Sequence, residues 1–279
     1  MGSEFGNIAF ILWRESVEAL LVIGILNAWL GKQAGGAVRG RIYLWAGVGA
    51  GCLVAIVLAA ALVLLSEVLP DDAQQAWQTA MVLVAAALII QMVFWMRKHG
   101  RTLKKELETS LSAAAETQHW WGVFILAALA VAREGSEAVV FLYGTFAAAR
   151  HGSTLAAVGA AALGLAAAIA TYWALQVGSR VLSWRAFFKA TEFMLLLLAC
   201  SLIVTGIDNL VGLEILPSLS GRLWDTSRVL PDSGMFGGLV SALTGYRARP
   251  DLWDIIVYAC YWGFVAWVFW RSRPVAKAA

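Results

Sequence analysis

Seven stretches of the chain stay mostly apolar for about 20 residues or more: roughly 7–30, 41–66, 77–96, 120–148, 154–178, 187–207 and 253–271. About 20 apolar residues is the length at which a helix crosses a bilayer. This predicts an all-α polytopic membrane protein with seven transmembrane helices. Composition agrees, since 61% of the 279 residues are hydrophobic and 14% are charged, against about 45–50% and about 25% in soluble domains. The net charge of +3 is too small to argue for nucleic acid. The opening "MGSEF" reads as two joined cloning sites, so residues 1–6 are set apart from the fold as a vector remnant. No signal peptide is expected, because the first span carries charges and lacks a small-residue cleavage site.

Orientation follows from where the basic residues fall. Lys32, Arg39 and Arg41 follow span one; Arg97, Lys98, Arg101, Lys104 and Lys105 follow span three. Arg180, Arg185 and Lys189 follow span five, and Arg271, Arg273 and Lys277 end the chain. The alternate connections are poor in basic residues, with Glu67, Asp71 and Asp72 in one and Arg150 alone in another. The N-terminus is therefore expected outside and the C-terminus in the cytoplasm. The loop from 208 to 252 departs from the trend with Arg222, Arg228, Arg247 and Arg249, but long loops count less. Within it, "MFGGLVSALTGY" is too short to span and is expected to form a cap or a shallow re-entrant segment. In the linker at 97–119, Leu103, Leu107 and Leu111 fall four apart, which predicts an amphipathic helix on the inner surface.

Two of the spans hold charges where lipid allows none. "ILWRESVEALLV" places Arg14, Glu15 and Glu18 in span one, and "AVAREGSEAVVF" places Arg133, Glu134 and Glu137 in span four. Facing lipid, these six charges would cost about 2.5–3.5 kcal/mol each. Their sum, roughly 15–20 kcal/mol, exceeds the stability of most domains, about 5–15 kcal/mol. They must face a protein interior or an aqueous path. In each motif the two glutamates are three apart and share a helix face, while the Arg lies four before the second Glu, within ion-pair reach.

Three helices separate the motifs, so residues 7–96 and 120–207 read as two three-helix repeats, inverted in the membrane because the number per repeat is odd. The segment 253–279 is then a seventh helix with a cytoplasmic tail. At about 1.5 Å per residue, Glu15 lies about 10 Å below the outer face and Glu134 about 9 Å below it. The motifs reach similar depth from opposite directions. Two Arg–Glu pairs serving as interhelical glue would leave Glu15 and Glu134 unexplained. Four carboxylates against two guanidiniums leave an excess of negative charge that asks for a cation. Carboxylates alone suit a hard multivalent ion. The histidines His99, His119 and His151 lie in loops, and the Glu-x-x-His pattern of di-iron enzymes is absent, which argues against an intramembrane redox enzyme.

The pair "RESVE" (14–18) and "REGSE" (133–137) resembles the Arg-Glu-Gly-x-Glu signature of the oxidase-dependent iron permeases, the family of fungal high-affinity iron permeases and bacterial EfeU-type permeases. "MVFWMRK" (92–98), "VAREGSE" (131–137), "FFK" (187–189) and "GY" (245–246) resemble bacterial members in the same order, so the likeness covers essentially the whole chain after residue 6. The resemblance implies a permease that moves iron inward, with Fe3+ or Fe2+ as the transported ion and no permanently bound cofactor. It assigns Glu15, Glu18, Glu134 and Glu137 as iron ligands and Arg14 and Arg133 as their charge partners. It also implies an extracytoplasmic partner, either a multicopper oxidase, a cupredoxin-like protein or a haem peroxidase, and in some systems a membrane electron-transfer partner. One departure is Ser16, where the family usually has Gly.

Other polar residues carry less. Glu192 is expected in an interfacial ion pair with Lys189. Asp208 and Asn209 are expected to close span six at the outer face, where they could line the pathway, as could Ser16 and Glu192. The cysteines Cys52, Cys200 and Cys260 are expected to be buried free thiols. Trp95, Trp120, Trp121, Trp184 and Trp270 fall near span ends, as an aromatic belt requires. Two further readings stay open: transport of another hard or divalent cation such as Mn or Pb, and a membrane metalloenzyme that oxidises iron.

Overall fold

The computed structural model of the chain describes residues 2–31, 37–99, 120–148, 154–177, 184–219, 221–232 and 235–271. Among these are eight helices: α1 (Gly2–Leu30), α2 (Ala37–Val68), α3 (Asp71–His99), α4 (Trp121–Ala148), α5 (Thr154–Val177), α6 (Trp184–Gly212), α7 (Met235–Thr244) and α8 (Leu252–Arg271). There is no strand among the described residues. Five helices are long and apolar enough to cross a membrane, over Val38–Val68, Ala73–Arg97, Leu155–Ala174, Lys189–Gly212 and Leu252–Arg271. At 29 and 28 residues, α1 and α4 are as long but carry the Arg-Glu-x-x-Glu charges at their centres. The helical linker expected before residue 120 falls mostly outside the described residues, as do His119 and His151. His99 ends α3 rather than lying in a loop.

Small residues decide which helices meet. Gly47 and Gly51, four apart on α2, let that helix lie against α4. A Cβ at Gly47 would run into the Phe124 carbonyl, and one at Gly51 into Val131 and the Ala132 amide. On α5, buried Ala160, Gly164 and Ala168 recur every fourth residue, and a Cβ at Gly164 would strike the Ala9 carbonyl of α1. Without a hydrophobic drive between helices in lipid, such close approach is what holds them together. Helix α1 is thus packed on α5 and α2 on α4, while α3 packs on α6, where Leu83 fills the space over Gly206. The central core, with Ile11, Ile89, Phe141, Leu195, Leu198 and Val265, draws on α1, α3, α4, α6 and α8.

The helix ends sort onto two faces. Gly40 packs on Leu30 and Trp120, and the Tyr43 and Trp121 rings lie 5.9 Å apart, so α1 ends where α2 and α4 begin. Arg97 near the end of α3 stacks on Phe269 near the end of α8, 3.8 Å from its centroid. The exposed Arg39, Arg41, Arg97 and Arg271 mark this basic face. Running from it, α4 is antiparallel to α1.

On the opposite face α6 continues a turn beyond residue 207. It ends in a Schellman cap, with Glu214 N–H donating to Val211 and Ile215 N–H to Leu210, and Glu214 itself at φ 60°. Asp208 thus lies inside the helix, and Asp251 and Asp254 cap α8 reciprocally, each accepting the other's amide at 3.0 Å. The short α7 packs against α1 and α6. Its Ser241 carbonyl accepts from Ser201 Oγ at 3.1 Å, and Ser201 lies about 16 Å along α6 from Gly212 at 1.5 Å per residue. Arg247 ties the segment down, donating to Asp208 at 3.0 Å and to Ser241 and Thr205. Further out, the Ser227 hydroxyl and amide, with Arg249 in support, hold the Asp225 carboxyl below its ordinary value.

One expectation about the cysteines is corrected here. Only Cys200 is buried; Cys52 and Cys260 lie on outward faces of α2 and α8, where a thiol is compatible with lipid. Residues 2–6 lie in the same helix as the rest of α1, with Phe5 beside Gly159 of α5.

Candidate metal centre

The two charged motifs meet where α1 and α4 touch. One carboxylate oxygen from each of Glu15, Glu134 and Glu137 lies within 4.8 Å of the others. Glu15 and Glu134 are buried and Glu137 is partly buried. Glu15 Oε2, Glu134 Oε2 and Glu137 Oε2 are buried without a hydrogen-bond partner. Unpaired buried carboxylate oxygens are costly, and the three grouped carboxylates form a donor set for a cation.

The fourth expected ligand, Glu18, is not one of this group. Its Oε1 lies 2.5 Å from Arg14 Nη2. Glu18 sits one turn along α1 from Arg14, and the guanidinium claims it. Arg14 is wholly buried; it also donates to Glu15 Oε1 at 2.5 Å and lies against the Met92 and Met96 sulfurs of α3, at 3.1 and 3.6 Å.

The second copy is arranged differently. Arg133 Nε donates to Glu137 Oε1 at 2.9 Å, the same four-residue pair, yet the Arg133 side chain is 40% exposed. Its guanidinium carbon lies 4.2 Å from the centre of a Trp95 ring. Both arginines pair with the second glutamate of their own motif as expected, but one is locked in and the other borders open space. That space is a cavity of about 240 Å³ lined by Leu88, Gln91, Met92, Trp95, Arg133 and Glu137.

The remaining expected residues fall elsewhere. Glu192 pairs with Arg97 of α3, Nε to Oε1 at 2.9 Å; the interfacial ion pair exists, but its partner comes from the neighbouring helix rather than from Lys189. Asp208 is held by Arg247. Ser16 is half-buried; at its counterpart Gly135 a Cβ would sit 2.7 Å from Ala55 Cβ, so the tight contact that demands Gly lies in the second copy. Trp95 was assigned to the aromatic belt but stacks on a motif arginine. Met92 and Met96 stood out only as part of the resembling segment 92–98, and Gln91 lay just outside it; a polar amide inside an apolar span was the one signal available.

The sequence profile described as the iron permease FTR1 family matches residues 6–271. The chain is 30% identical over 261 residues to proteins named ferrous iron permease EfeU from Escherichia coli O6:K15:H31 (strain 536 / UPEC) and from Escherichia coli O157:H7, covering 90% of each chain. It is 28% identical over 257 residues to the protein of the same name from Yersinia pestis, covering 90% of this chain and 88% of that one. No solved structure matches the chain.

Proposed function

This chain belongs to the iron permease FTR1 family, and we propose that it imports iron across the cytoplasmic membrane through the carboxylate cluster between α1 and α4. It is a transporter rather than an enzyme, and an integral membrane protein. The observation that carries the site is the grouping of three carboxylates from two helices, each of which also has a buried oxygen without a hydrogen-bond partner. An all-oxygen, net-negative donor set favours a hard ion, which supports Fe3+ presented at the outer face by an oxidase, peroxidase or cupredoxin-like partner. The names of the relatives favour a second reading, ferrous iron. Glu18 is the reserve ligand: it joins the ion when Arg14 turns wholly to Glu15.

The architecture we propose for import has seven spans, α1–α6 and α8, with α7 re-entrant from outside. The basic face is cytoplasmic. Helices α1–α3 and α4–α6 form inverted repeats; the exchange of partners, α1 with α5 and α4 with α2, supports this symmetry. Inside-negative potential favours cation influx by about 2.3 kcal/mol per charge per 100 mV, so about 7 kcal/mol for Fe3+ at 100 mV, and no Walker-type phosphate loop is present in the sequence.

The test is uptake of radioactive iron into proteoliposomes without any partner, as ferric citrate and as ascorbate-reduced iron. Accumulation of ferric iron that fails in Glu134→Gln supports the reading. Accumulation only after reduction transfers the proposal to Fe2+, and uptake by Glu134→Gln at the wild-type rate removes the cluster from the pathway.

A further inference from the structure

We infer that the cavity on the seam between α3 and α4 is a water-filled vestibule joining the glutamate cluster to the basic face of the membrane, with Gln91 as its polar wall. This rests on the cluster being the ion site. At about 30 Å³ per water molecule, its volume of about 240 Å³ holds several waters, enough to hydrate a cation that leaves a carboxylate.

Three observations point the same way. Gln91 and Arg133 are both exposed although they lie well inside helices. Gln91 is about 12 Å from the end of α3 at 1.5 Å per residue, and Arg133 is near the middle of α4. In hydrocarbon an arginine there costs about 2.5–3.5 kcal/mol, and the amide would lose its hydrogen bonds. This flank is therefore wet.

Glu137 also belongs to both places, lining the cavity and supplying an oxygen to the three-carboxylate group. An ion on the cluster is one ligand exchange from the vestibule.

The direction follows from the antiparallel helices. Toward the basic face α3 runs from Leu88 to Trp95, while α4 runs away from it from Arg133 to Glu137. Trp95 and the Arg133 stacked on it mark the end nearer the basic face, with Arg97 just beyond.

The test uses single cysteines in a transport-competent Cys52→Ala/Cys200→Ala/Cys260→Ala background. The probe is a membrane-impermeant cationic methanethiosulfonate, added from one side of oriented vesicles at a time. Gly31→Cys and Glu67→Cys report the two faces. The inference expects Gln91→Cys to be modified from the face that labels Gly31→Cys. It also expects modification to slow several-fold when iron is bound and to block uptake. No modification of Gln91→Cys from either face, or modification only from the Glu67→Cys face, overturns the vestibule. Loss of iron protection in a Glu134→Gln partner variant, with labelling retained, shows that the protection comes from the cluster. Labelling from the correct face with no iron protection in either protein leaves a cavity that does not serve the ion and overturns the inference, while uptake itself judges the cluster separately.

Discussion

Glu15 and Glu134 reach each other from antiparallel helices, and each keeps one buried carboxylate oxygen without a partner. Two like charges at this range repel by a few kcal/mol at an effective dielectric of about 20. A fold retains such a pair only where something else is gained. Glu134→Gln is therefore expected to raise the thermal midpoint of the metal-free protein by a few degrees, roughly 1–2 kcal/mol. The same change should cut iron uptake at least tenfold. Melting in detergent beside vesicle uptake checks both, and a variant that loses stability and keeps transport would contradict the assignment.

The two motif arginines should behave unlike one another. Arg14 is fully buried against Glu15 and Glu18, so Arg14→Ala strands two carboxylates at a cost of about 3–5 kcal/mol; little folded protein should be recovered. Arg133 is half-exposed, and Arg133→Ala should cost about 1 kcal/mol or less. The expected effect there is on transport. Trp95→Leu should free the Arg133 guanidinium to compete for the cluster, raising the iron concentration for half-maximal uptake several-fold with little change in maximal rate. Trp95→Phe should restore most of it. Equal recovery of Arg14→Ala and Arg133→Ala in size-exclusion chromatography would remove the distinction.

That asymmetry was not legible in the sequence, where the two motifs look alike. Spacing alone gave the i,i+4 pairs and the shared helix face, and opposite directions of travel gave the common depth of Glu15 and Glu134. What decides that Arg14 is locked in while Arg133 borders a cavity is which side chains of α3 lie against each. Only the folded chain sets Met92 and Met96 on Arg14 and Trp95 on Arg133. The ion pair of Asp208 was not legible for a related reason: its partner Arg247 is 39 residues away, and no local pattern connects them.

Glycine substitutions test the helix pairing. Gly51 on α2 has no room for a Cβ against α4, whereas Gly49 has nothing within 4 Å. Gly51→Ala should destabilise by about 1–3 kcal/mol through overpacking. Gly49→Ala should be neutral or stabilise by up to about 1 kcal/mol through helix propensity. Thermal unfolding of both variants checks this, and the reverse order would place the α2–α4 seam elsewhere.

The placement of α7 depends on one side chain. Arg247 bonds Asp208, Thr205 and Ser241 together, so Arg247→Ala leaves three acceptors short of a donor. Limited trypsin digestion should then cleave at Arg222 or Arg228 at least tenfold faster than in the parent, with α1–α6 intact. Unchanged cleavage would show that α7 is held by its apolar contacts alone.

Release of a tightly held ion requires the cluster to come apart, and the packing indicates along which seam. The α1–α5 contact is closed by Gly164 against the Ala9 backbone and by Trp13 Nε1 donating to Thr171 Oγ1 at 3.0 Å; α2–α4 is closed by Gly47 and Gly51. Between these two pairs lies the α1–α4 contact, which is held by the carboxylate cluster and apolar side chains rather than by glycine-closed backbone contact, and so is the cheapest to open. The expected moving units are then α1 with α5 and α2 with α4, rather than one three-helix repeat against the other. A short membrane-permeant bis-methanethiosulfonate linking Trp13→Cys to Thr171→Cys should leave most iron uptake in place. The same reagent linking Leu26→Cys to Val123→Cys, two positions in one apolar cluster at the α1–α4 seam, should abolish uptake while iron binding persists. Normal uptake with the second link in place would make the carboxylates a static pore, and loss of uptake with the first alone would return the motion to the three-helix repeats.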